Sequence, residues 1–66
     1  MSIEQRLARL RALIASAGRF SFDEAVAGAD RLTEAITLFA LLELHKSGEA
    51  RWEQAEPFGP IMVSGG

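Results

Sequence analysis

The 66-residue chain has no cysteine and one histidine. That excludes disulfides and leaves no set of ligands for a structural zinc, the two usual supports of a small fold. The absence of thiols leaves the redox compartment open and is compatible with a reducing cytoplasm. Long apolar runs are missing too. The longest, Leu38-Phe39-Ala40-Leu41-Leu42, falls far short of the ~20 residues that span a bilayer. No charged-then-apolar leader opens the chain, so no secretory signal is expected. Basic charge is not in excess: seven Lys and Arg against nine Asp and Glu give a formal net charge of −2. A surface built for nucleic acid carries the opposite sign. Apolar residues, by contrast, are abundant at 48%. A domain this small buries only about 60% of the surface its unfolded chain exposes, so the apolar content exceeds what the interior can hide.

Local signals divide the chain into short elements. Ser2 and Gln5 form a capping-box pair at the start of a helix. Ile3, Leu7, Leu10, Ile14 and Ala17, widened by Leu13, make its apolar stripe, and Arg6, Arg9 and Arg11 are expected to face water. Gly18 suits the C-terminal cap. Arg19-Phe20-Ser21-Phe22 reads as a few residues of strand. Ser21 and Glu24 are a second capping box, opening a brief helix that Gly28 interrupts. Asp30 caps the longest helix, about Arg31 to Ser47, closed by Gly48. Ala50 to Gln54 alternates as a half-buried strand does, which places Trp52 in the core. Residues 55–60 hold two prolines and a glycine and form a turn. Ile61-Met62-Val63 is a second strand, expected at a sheet edge where a partner strand could add to it. Ser64-Gly65-Gly66 reads as a flexible tail after a domain of residues 1–63. The expected fold is mainly α with a small β-hairpin, a winged-helix variant of the helix-turn-helix.

The long helix is apolar around most of its circumference. Leu32, Ala35, Ile36, Phe39 and Leu42 form an arc assigned to the core at 100° per residue. Leu38 and Leu41, with Leu44, fall outside it and are expected to join an exposed patch of the kind that marks a partner site. The outward polar set is then Glu34, Thr37, Glu43, His45 and Lys46. A helix reading DNA would offer Arg, Lys, Asn or Gln instead. Enzyme chemistry finds no foothold. No glycine loop precedes a helix to cradle phosphate, and His45 suits the helix dipole better than a substrate. Glu53 and Glu56 read as solvated charges rather than a carboxylate pair. No catalytic, cofactor or metal residue is assigned.

Leu38-Phe39-Ala40-Leu41-Leu42-Glu43-Leu44, followed by Gly48, Gln54 and Glu56-Pro57-Phe58-Gly59-Pro60-Ile61, resembles the C-terminal winged-helix domain of ScpA, the bacterial kleisin. The opening helix, Phe20-Ser21-Phe22 and Thr33-Glu34-Ala35 fall where that family has its own, so the resemblance covers nearly the whole chain. Leu38-Phe39 inverts the family's Phe-Leu order, Pro60 stands in place of its Asp, and His45 stands where an aliphatic residue is usual.

The resemblance implies a protein-binding role. Kleisins dock this domain on the ATPase head of an SMC protein and grip the other SMC subunit with their N-terminal domain. The resulting ring serves chromosome condensation and segregation. The middle of a kleisin binds ScpB, so this chain is expected to be one domain of a longer, cytoplasmic, nucleoid-associated subunit. Leu38, Leu41 and Leu42 with Phe58, Ile61 and Val63 are the expected SMC-facing residues. No direct nucleic-acid or membrane contact is expected, and ATP turnover would belong to the partner. Two other readings stay open: a winged-helix DNA-binding module, whose affinity would fall steeply with salt, and a self-associating domain.

Overall fold

The computed structural model describes residues 2–66 and contains three helices and one small sheet. Helix α1 spans Ile3–Ala17, strand β1 Arg19–Ser21, helix α2 Phe22–Ala25 and helix α3 Arg31–Lys46. Strands β2, Ala50–Glu53, and β3, Met62–Gly65, complete the winged-helix fold. The helix starts follow the local chemistry. Ser2 and Gln5 satisfy each other's backbone N–H groups, and Ser21 and Glu24 repeat the arrangement. Asp30 Oδ1 accepts from the Thr33 N–H at 2.7 Å. At the other end of α1, Gly18 takes a φ of 74°, a conformation that costs other residues strain, and its N–H reaches the Ile14 carbonyl.

The sheet is antiparallel with order β1-β3-β2. This corrects the expectation for the last strand: β3 is central, with β1 and β2 at the edges. Arg19–Ser21 pairs with β3 as well, so the surface is a three-stranded sheet rather than a hairpin alone. Phe20, Val63 and Trp52 form one cross-strand row, and neighbours in such a row point to one face. Phe20 and Val63 are buried in the core. Trp52 shares that inward face yet is exposed at its rim, stacked on His45 with ring centroids 4.0 Å apart. Its face follows from alternation, but its depth does not: an edge strand has covering atoms on one side only. Ser64 and Gly65, expected in a tail, pair with Arg51 and Ala50. The Gly66 N–H extends the ladder to the Glu49 carbonyl.

Leu10, Phe20, Ala25, Ala40, Leu41, Leu44, Ala50 and Val63 make the core. A charged residue joins them. Arg6 is only 9% exposed, contrary to its expected place in water. It lies four residues before Leu10 and seven before Leu13, within the α1 stripe, so position overrides charge. Its Nε donates to Thr37 Oγ1 at 2.6 Å and its Nη2 to the Ala25 carbonyl at 2.9 Å. Thr37 Oγ1 in turn donates to the Thr33 carbonyl at 2.7 Å. One side chain thus ties α1 to both other helices, and the buried polar groups are satisfied, as burial requires.

Outside the core, Arg11 and Glu49 form a two-point ion pair at 3.1 and 3.2 Å, joined by the Ser47 hydroxyl on Glu49 Oε2. The bonds from Arg11 and then Ser47 hold the Glu49 carboxyl below its ordinary pKa, and the Thr33 backbone N–H does the same for Asp30.

Replacing Arg6 by Met removes the donor to Thr37 Oγ1, which keeps its bond to the Thr33 carbonyl, and leaves the Ala25 carbonyl without its Arg6 donor. It should lower urea-unfolding stability by about 2 kcal/mol. Arg9→Met, at an exposed position, should stay within about 0.5 kcal/mol. Because Glu49 and Asp30 titrate lower folded than unfolded, their stabilisation is complete above the ordinary carboxylate range. It is lost as pH falls through their depressed folded values. Thermal melts should therefore drop on acidification through that range, and Glu49→Gln should lose less over the same interval than the parent.

Candidate docking surface

Helix α3 packs with the face opposite to the one assigned from apolar count. Thr33, Thr37, Ala40, Leu41 and Leu44 are buried, centred roughly 150° around the helix from the expected arc. Two threonines and an alanine let α3 approach α1 closely, and Thr37 is the acceptor that Arg6 needs. Thr37, expected outward, is fully buried, and Leu44 with it. Leu41 is 2% exposed and Val63 0%. Neither can touch a partner of the folded domain, which removes both from the SMC-facing set. Leu41 belongs to the core, and Val63 lies on the covered face of the central strand.

The face left outside is apolar. Leu32 is 68% exposed and Phe39 63%, with Leu38 and Leu42 also exposed. With Ala35 they recur at spacings of three and four, so they are neighbours on one side of α3. Leu38 is thus outward as expected, whereas Leu32, Ala35, Phe39 and Leu42 lie in the arc that the helical wheel assigns to the core, and Leu42 is outward only as the resemblance implied. The signal that would have found them is the competing stripe 33-37-40-41-44, whose threonines are polar by type yet carry a methyl and a bond-forming hydroxyl.

The patch continues toward the wing, the β2–β3 connection. Phe22, Arg31, Glu34, Ala35 and Leu38 line a shallow groove between α2 and α3. A second groove is lined by Phe22, Asp23, Phe58, Gly59, Pro60 and Ile61. Phe22 belongs to both and joins Leu38 to the wing tip; its sequence context reads as the end of a strand, whereas it is the first residue of α2, where Ser21 caps the helix. Ile61 is half-buried, packed against the core, and its carbonyl accepts from the Phe22 N–H at 2.8 Å. Phe58 is fully exposed, with a φ of 61°, a left-handed backbone that costs a non-glycine residue about 1–2 kcal/mol.

Electrostatics give the surface little attraction for phosphate. Glu34 offsets Arg31 in the lining of one groove, and Asp23 is the charged residue lining the other. Among the described residues no cluster of His, Cys, Asp and Glu could hold a metal ion, and no helix is long and apolar enough to cross a membrane. His45 lies against Trp52 with Nδ1 3.3 Å from the Ala50 carbonyl, a packing arrangement at the end of α3.

Comparison with solved structures places the fold. Over 98% of this chain and 100% of the other, it superposes with a TM-score of 0.77 and 26% identity on a chain from a crystal structure of the SMC head bound to the C-winged helix domain of ScpA. The chain is a winged-helix domain similar to that of ScpA. No protein-family description and no curated protein matches it. The likeness to the ScpA domain spans both α3 and the wing, the two elements that carry the exposed apolar surface.

The division of α3 into two faces is directly testable. Leu41→Ala should destabilise the domain by about 2–5 kcal/mol through the cavity it opens. Phe39→Ser, on the outer face, should change stability by no more than about 0.5 kcal/mol. Equilibrium unfolding in urea measures both.

Proposed function

We propose that this domain docks on the ATPase head of an SMC protein through the outer face of α3 and the wing. One observation carries the reading: the similar ScpA domain was crystallised bound to an SMC head, and this chain leaves a connected apolar surface on the same fold. Leu38 and Leu42, with Leu32 and Phe39, are the α3 contacts; Phe22, Ile61 and Phe58 extend them to the wing. Exposed apolar residues grouped in this way lower the free energy of a complex rather than of the free domain.

In this reading the chain acts as the C-terminal domain of a kleisin. It supplies one of two attachments that close an SMC ring for chromosome condensation and segregation, in the cytoplasm at the nucleoid. ScpB would bind kleisin regions other than this domain. The domain itself binds and does not catalyse; ATP turnover belongs to the head. DNA is disfavoured as the occupant of α3, because leucines and a phenylalanine outside offer nothing to base edges or phosphates.

Mixing the domain with the purified SMC head encoded by the same genome should yield a complex that co-elutes on size exclusion. Leu38→Lys should abolish that complex while leaving the melting temperature of the domain unchanged. A complex that survives both Leu38→Lys and Leu42→Lys would show that the outer face of α3 is not the contact. Sedimentation of the domain as a dimer that ignores the head would favour self-association.

A further inference from the structure

The wing tip combines two unfavourable features that nothing inside the domain offsets. Phe58 holds its whole ring in water and its backbone in the left-handed region. The ring belongs neither to the core nor to the hydrophobics packed against it. Glycine or asparagine would adopt this turn with less strain, so the turn alone does not account for an aromatic residue there. The backbone around it is nonetheless well held. The Gly59 N–H donates to the Glu56 carbonyl at 3.0 Å, and Gln54 Nε2 donates to the Gly59 carbonyl at 2.8 Å. Pro57 and Pro60 further restrict the loop.

We infer that Phe58 is the anchor of the docking surface, a ring presented in advance for insertion into an apolar pocket of the SMC head. The inference rests on the docking reading above and adds which residue dominates it and what the partner must offer. A ring on a stiff turn loses little conformational entropy on binding, and buried aromatic anchors carry much of the energy of protein interfaces. Its place is continuous with the rest of the surface, because Phe58 shares a groove with Phe22 and Ile61, and Phe22 shares the next with Leu38. Asp23 lies in that groove and Glu56 in the same turn. The pocket on the head therefore has apolar walls and a basic rim.

Phe58→Gly and Phe58→Asn separate anchoring from folding. Both accept the left-handed backbone and remove no buried surface, so the melting temperature of neither variant should fall. Measured by surface binding kinetics against the purified SMC head, both should dissociate at least about tenfold faster, with association within about threefold of the parent. Parental dissociation rates in both variants, with Leu38→Lys still abolishing binding, would overturn the anchor and leave the docking reading standing. Melting well below the parent in both would also overturn it, by making Phe58 a structural part of the turn. Unaltered binding by Leu38→Lys and Leu42→Lys as well as by the Phe58 variants would instead refute the docking reading, and the anchor with it.

Discussion

The fold turns on a buried guanidinium. Arg6 reaches from α1 to the last carbonyl of α2 and to Thr37 in the middle of α3, and this contact sets the rotation of α3 about its own axis. With Thr37 held inward, Ala40, Leu41 and Leu44 turn inward with it. Leu32, Leu38, Phe39 and Leu42 are left outside. A buried cation without a carboxylate is tolerated because its donors meet a hydroxyl and a carbonyl at the end of a helix, where the backbone dipole favours positive charge. Alternatives with the greasier face inward would bury more hydrocarbon, but they would cost Arg6 its Thr37 acceptor and leave its buried Nε–H unpaired.

That choice links stability to function. A chain of this size has little interior, yet it fills part of it with threonines and an alanine and leaves large apolar side chains in water. The surplus hydrophobicity is concentrated on one helix face and one wing and joined through Phe22, instead of being scattered as ordinary surface apolar area is. Such a distribution suits a domain that completes its burial against another protein. Polar bonds at the periphery, such as Arg11 with Glu49 and Arg19 with Glu53, lie away from the grooves that line this surface. The contacts that brace the fold and the surface left free for a partner therefore occupy different regions.

The sheet contributes by position more than by area. Because β3 lies between β1 and β2, its backbone groups are satisfied on both sides and Val63 is fully covered. The wing is consequently a loop projected from a paired strand, not a loose end, and its tip can hold a strained conformation. Leu41 and Val63 belong to this supporting structure; the surface they support is made by Leu38, Leu42, Ile61 and Phe58.

Much of this architecture was legible in the sequence because its signals are local. Ser2 with Gln5, Ser21 with Glu24, Asp30 with Thr33 and the glycines at 18 and 48 close hydrogen bonds or turns within a few residues, so the helix boundaries needed no tertiary information. The segments 38–44 and 56–61 also carried the resemblance to the ScpA domain over nearly the whole chain. Three features were decided only by packing. Arg6 looked solvated because charge usually is, the threonines of α3 were counted as polar, and the last strand was placed at an edge because it follows the others in sequence, although β1, distant along the chain, pairs with its free side. Periodicity reports that a helix has two faces, but choosing the inner one depends on a hydrogen bond between residues 31 positions apart, and no local pattern encodes that pairing.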